Sequence, residues 1–235
     1  MIFKRFIHSL KNTTMLVILP RVFISAFILL QIAAMITYPG GTILDKTTVG
    51  YYFTLNFFSD LGTYTAYNGA NNFFSLILFV IAMTLAGFTF TFYYLALPQF
   101  FKDQKTNYYI AILGTIFALG GSFSMIGTAF TPGDLYPSPH DLFANWIFRF
   151  FLVTSFCYTI VIFRTSVLPN KYALGYAVFT LMIAMYVGVL ELAPSPFLSH
   201  SALVFNVVTQ KLIVLVFCLA IMYQTFGFSS RKDLL

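Results

Sequence analysis

Residues 72–97 read NFFSLILFVIAMTLAGFTFTFYYLAL, a run of apolar and small side chains without a single charge, followed at once by Pro98. A helix needs about 20 mostly apolar residues to cross the hydrocarbon of a bilayer, and this run exceeds that length. Inside lipid the backbone can bond only to itself, which a helix achieves within one segment. The stretch therefore reads as a membrane span.

Working outward, five more runs have the same character. The first lies between about Pro20 and Tyr38 and stops at Pro39-Gly40-Gly41; the third runs from about Tyr108 to Phe130, before Thr131-Pro132-Gly133. A fourth spans about Leu142 to Arg164, a fifth Tyr172 to Leu192 and a sixth Ala202 to Phe226. Turn formers such as Pro169-Asn170 and Pro194-Ser195-Pro196 separate them, because proline removes a donor and clashes with the preceding turn. The whole composition agrees: of 235 residues 59% are hydrophobic, 20% aromatic and only 9% charged. Soluble domains carry roughly a quarter charged residues. The fold expected is an all-α integral membrane bundle of six transmembrane helices, forming one polytopic domain over residues 1–235.

Lysine and arginine set the orientation, since short cytoplasmic loops keep the excess positive charge. With the N-terminus inside, Lys4, Arg5, Lys11, Arg21, Lys102, Lys105, Arg164, Lys171, Arg231 and Lys232 fall on the cytoplasmic side, and Lys46 alone falls outside. Asp45, Asp60, Asp134, Asp141 and Glu191 show the opposite bias. Both termini are thus expected in the cytoplasm, with the chain in the cell (inner) membrane. The net charge of +6 reports this topology and not nucleic-acid binding, for the basic residues form no stripe. The first apolar run is too long for a signal peptide and lacks a small-x-small cleavage site. Ahead of it, Ile2, Phe3, Phe6, Ile7 and Leu10 at helical spacing suit an interfacial helix within residues 1–14. Cys157 and Cys218 fall within helices and indicate no disulfide framework.

Polar residues inside the spans point to function. Arg149 and Lys211 each lie about two turns into a helix, where a charge is costly unless paired or hydrated. Asp141, Asn145 and Arg149 share one face of the fourth helix; Asn206 and Gln210 stack on the sixth, with Lys211 one residue round. Two polar faces at matching depth predict a shared cavity opening outward. The stretch 39–71 is too long for a plain connector and reads as a structured outer loop. Within it Asn56, Ser59 and Asp60 come together if Asn56-Phe57-Phe58-Ser59-Asp60-Leu61-Gly62 forms a helical turn ended by Gly62. His140 and His200 open the fourth and sixth helices on the same outer side. The aromatics Tyr51, Tyr52, Phe53, Phe57 and Phe58 read most simply as an interfacial belt.

The element Asn56 to Gly62, the following Asn68-Gly69-Ala70-Asn71-Asn72, the stretch from Gly127 to Asp134 leading to His140, and Gln210-Lys211 resemble a bacterial membrane-protein family, domain of unknown function number 998. The resemblance implies a single polytopic domain and carries no reaction. A more distant likeness is to the alkaline ceramidase and adiponectin-receptor superfamily of zinc-dependent membrane hydrolases. On that likeness Ser59, Asp60, His140 and His200 would approximate the site, although the His-x-x-x-His pair of its last helix is missing, since Val204 stands four residues after His200.

Three functions follow as expectations. In the first, Arg149, Lys211, Asn145, Asn206, Gln210, Asn56 and Ser59 hold an anionic lipid head group or small solute in the outward cavity. In the second, Asp60 and His140 are catalytic in a metal-dependent hydrolase acting on a membrane lipid, with zinc held by His140, His200 and Asp60, or with Asp141 or Glu191 as third ligand. The third is an accessory subunit whose polar pairs only join helices, Arg149 and Lys211 meeting Asp60, Asp141 or Glu191.

Overall fold

Proline marks where the helices of this protein begin as well as where they end. In the computed structural model, which describes residues 9–102, 104–231 and 233, the fourth span starts at Pro137 and not near Leu142. Its fixed φ suits a first helical turn, where a missing N–H costs nothing. Pro98 likewise does not stop the second span, which continues through it as a 3-10 turn to Phe100. The first span begins early, at Thr14, where the N–H of Met15 bonds the Asn12 carboxamide and a π-helical turn runs to Ile18. The expected interfacial helix of residues 1–14 lies largely outside the described residues.

The six spans are α1 (Thr14–Thr37), α2 (Phe73–Phe100), α3 (Lys105–Phe130), α4 (Pro137–Phe163), α5 (Asn170–Leu192) and α6 (His200–Ser230). All are long and apolar enough to cross a membrane, and the described residues contain no strand. The chain is an all-α, multi-pass bundle. Each helix packs on its neighbour in sequence and α6 returns to α1, whose shared seam is the least extensive. Large apolar side chains such as Leu29, Ile36, Phe88, Ile116, Leu181 and Leu219 stay exposed, as expected where lipid is the solvent.

Close approach of α3 to α4 depends on small residues. A Cβ added at Gly121 would lie 2.5 Å from the Phe151 ring, and one at Gly127 2.6 Å from Phe143, so these glycines are the notches into which α4 sets its rings. At the centre Phe217 of α6 touches Phe90 of α2, Phe151 of α4 and Phe179 of α5, with ring centroids 5.0, 4.7 and 5.1 Å away. On the side of this centre away from the α1–α2 connection a buried layer follows, in which Thr115 bonds both the Tyr158 hydroxyl at 2.8 Å and the Tyr94 carbonyl at 2.9 Å.

The connection from α1 to α2 is ordered by hydrogen bonds rather than by strands. It contains two isolated bridges, Gly40 to Val49 and Thr65 to Asn71. Gly40 and Gly41 have φ of 137° and 84°, and a Cβ at Gly41 would meet Asn68 N at 2.3 Å, so the chain turns there only without side chains. The expected helical turn is a 3-10 turn, Ser59–Gly62. Asn72 and Ser75, at the start of α2, donate to the carbonyls of Leu61 and Thr63. At the same end of the bundle, Asp134 of the α3–α4 turn accepts from the N–H groups of Tyr64 and Thr65, both at 2.8 Å.

Candidate functional site

The loop descends onto α6. Gln210 accepts from the Phe58 N–H at 2.9 Å, and the Lys211 ammonium donates to the Asn56 carbonyl. Lys211 is only 6% exposed, and its Nζ lies 5.3, 5.0 and 5.2 Å from the ring centroids of Tyr51, Phe53 and Phe58. These rings form a cage whose π-faces attract the cation. Of the aromatics expected to be an interfacial belt, Tyr51, Phe53 and Phe58 thus also have a more local task.

Asn56 organises the loop end. Fully buried, it donates through Nδ2 to the Gly41 carbonyl and to Asp60 Oδ2, and its Oδ1 accepts from Tyr52. Its carbonyl also receives the Tyr51 hydroxyl at 2.8 Å. Asp60, 4% exposed, accepts in addition from the Phe57 N–H at 2.8 Å. Burial pushes the Asp60 carboxyl up from its usual 3.8 to about 6, against the bonds from Asn56 and Phe57 and the nearby Lys211 charge, which pull it down. Tyr38, Tyr51 and Tyr67 are pushed up in turn by burial and by Asp60. The cation and the carboxylate therefore belong to one buried assembly of α6 and the loop.

Several expected partners lie elsewhere. Arg149 is 27% exposed and pairs with Glu191 of α5, which is 56% exposed; it also bonds the Asn145 carbonyl and approaches Trp146 at 5.9 Å. Asn206 donates to the carbonyls of Pro194 and Ala202, fastening the α5–α6 turn. Ser59 opens the 3-10 turn and Asp141 is exposed. The single cluster of Arg149 and Lys211 expected from their depth is therefore corrected: each cation has its own protein partners, because the loop claims one and α5 the other. Of the residues expected to line an outward polar cavity, Gln210 and Lys211 are covered by the loop.

The zinc set is corrected too. His140 is buried with Nδ1 2.6 Å from the Thr131 carbonyl, closing the α3–α4 turn, and His200 is exposed at the start of α6, where Ser199 caps the helix. Among the described residues no three His, Cys, Asp or Glu side chains converge, so His140, His200 and Asp60 form no ligand set for a metal-bound water.

Beneath the loop lies a feature that the sequence left unmarked. A cavity of about 80 Å³ is bounded by Phe27 of α1, Met83 and Ala86 of α2, Phe148 of α4, and Val214 and Cys218 of α6. No lining residue is charged, and the hydroxyl of Thr89 is already bonded to the Leu85 carbonyl. Lys211 precedes Val214 by one turn on the same face of α6, so the caged lysine stands above the outer end of the cavity.

Fold and site together define a multi-pass α-helical membrane protein whose α1–α2 loop closes over a buried lysine next to an apolar cavity. Comparison with family models, curated proteins and solved structures finds no match to this chain.

Proposed function

We propose that this protein sits in the cell membrane with both termini in the cytoplasm and binds an amphiphile drawn from the bilayer. The ligand's hydrocarbon occupies the cavity among α1, α2, α4 and α6, and its polar end faces the roof made by the loop. One observation carries this reading: a cavity of about 80 Å³ with uncharged, almost wholly apolar walls, inside the bundle. Such walls suit hydrocarbon and repel an ion or a hydrated solute. An anionic head is not required, because Lys211 is held by the Asn56 carbonyl with the Asp60 carboxylate nearby, and Arg149 pairs with Glu191.

Filling the cavity tests this. Ala86→Phe should lower co-purified or added lipid, quantified by native mass spectrometry, at least fivefold. Leu212→Phe on the exposed face of α6 should leave it unchanged. Equal lipid retention by both variants would refute the reading. The orientation is checked by reporter fusions, which should read cytoplasmic after Arg164 and at the C-terminus and extracytoplasmic near Asp45 or Tyr136. A cytoplasmic signal at Tyr136 overturns it.

A further inference from the structure

Gln31 is 3% exposed, and neither its amide oxygen nor its amide nitrogen has a hydrogen-bond partner among the described residues. Leaving a buried amide unbonded in an apolar setting is among the costlier local arrangements a protein can hold. Most other polar side chains near the outer end are satisfied: Asn56 uses both amide atoms, and Gln210 and Asn206 are each bonded. Gln31 has simpler replacements, since Leu or Met would suit a helix as apolar as α1.

Its place explains why it is informative. On α1 the side chains of Phe23, Ile24 and Phe27 line the cavity, and Gln31 comes one turn after Phe27 on the same face. One turn further, Ala34 is already packed with Leu61 of the loop and Phe79 of α2. Gln31 therefore stands at the level between the cavity and its roof. Lys211 occupies the matching level on α6, one turn beyond Val214, but is held by the Asn56 carbonyl and three rings. Of these two, only Gln31 lacks any hydrogen-bond partner among the described residues, and only Gln31 offers an acceptor.

We infer that Gln31 reads the polar end of the bound amphiphile, and that this end is a neutral group with both a donor and an acceptor, such as a hydroxyl or a primary amide. A carboxamide presents an acceptor oxygen and two N–H donors. A hydroxyl can satisfy both kinds at once. An ester, a phosphodiester or a carboxylate only accepts, and would leave the Gln31 oxygen unbonded in apolar surroundings. The inference rests on the proposed chain-binding cavity and specifies what that cavity selects.

The test uses the full chain in phosphatidylcholine nanodiscs. With Cys157→Ser, Cys218 becomes the only thiol, and it lines the cavity. Its rate of modification by N-phenylmaleimide then reports occupancy. The probes are 1-dodecanol, which donates and accepts, methyl undecanoate, which accepts only, and dodecane, which does neither. Dodecanol should protect Cys218 at a concentration about three- to tenfold lower than methyl undecanoate, the factor that one net hydrogen bond supplies, and lower again than dodecane, which makes none. Gln31→Met should abolish this preference while dodecane still protects, and should raise the melting temperature of the ligand-free protein. Equal protection by all three probes in the parent, or an unchanged preference in Gln31→Met, overturns the role of Gln31 and leaves the cavity reading standing. Failure of every probe to protect Cys218 overturns the cavity reading and this inference with it. Should Gln31→Met fail to fold, Gln31→Leu and the ranking of probes in the parent decide.

Discussion

Lys211 and Arg149 lie at similar distances from the N-terminal ends of their helices, yet the protein treats them in opposite ways. Lys211 is 6% exposed and enclosed by a loop more than 150 residues away in sequence, as its bond to Asn56 shows with a separation of 155. Arg149 keeps 27% of its side chain exposed and meets a carboxylate that is more than half exposed. Depth along a helix thus predicts that a cation needs an answer, and the surrounding elements decide whether that answer is buried or hydrated. A buried assembly should be brittle and an exposed pair tolerant.

The largest effect is expected at the buried end. Lys211→Met leaves the buried Asp60 carboxylate without its nearby cation and the Asn56 carbonyl with the Tyr51 hydroxyl alone, and should destabilise the protein by roughly 3 kcal/mol at pH 7.5. Adding Asp60→Asn should recover part of the loss, because no carboxylate is then left in apolar surroundings. Thermal unfolding of the two single variants and the double variant measures this, and a neutral Lys211→Met would show that the cage does not matter to the fold.

A somewhat smaller effect concerns pH. The folded carboxyl of Asp60 is raised to about 6 from 3.8, so the folded state holds its proton more tightly than the unfolded chain. The associated stability is fully present below about pH 4 and is lost as pH rises through about 6, an amount on the order of 2–3 kcal/mol. The difference in stability between the parent and Asp60→Asn should therefore move against the parent between pH 4 and 6 and level off above. A difference that is flat across this window would place Asp60 in a more polar setting than described here.

The smallest effect belongs to Arg149. Partly exposed ion pairs contribute about 0–1 kcal/mol, so Glu191→Gln should change stability by less than about 1 kcal/mol. A loss approaching that of Lys211→Met would erase the contrast between the two cations.

Much of this was readable in the linear chain. Each span announced itself by an apolar run long enough to cross a bilayer, and Asn56 and Asp60 were expected on one turn and are bonded to each other. The helix ends were less legible, because the same proline stops a helix from within and suits its first turn, as at Pro137. Gln31 was missed, although a polar residue in an apolar run was a signal that could have found it. The cage was hidden because Tyr51, Phe53 and Phe58 have the composition of an ordinary interfacial belt.

What the sequence by itself determined is the solvent and the number of crossings. Burial of backbone in lipid is a local demand, met residue by residue within each segment. What only the tertiary structure decided is which groups meet: Lys211 with the loop, Arg149 with Glu191, and side chains of α1, α2, α4 and α6 around one cavity. Those outcomes depend on how helices pack and on where a loop of thirty-odd residues folds back. A cavity in particular is a property of the gaps between side chains from several helices, and no single stretch of sequence contains it.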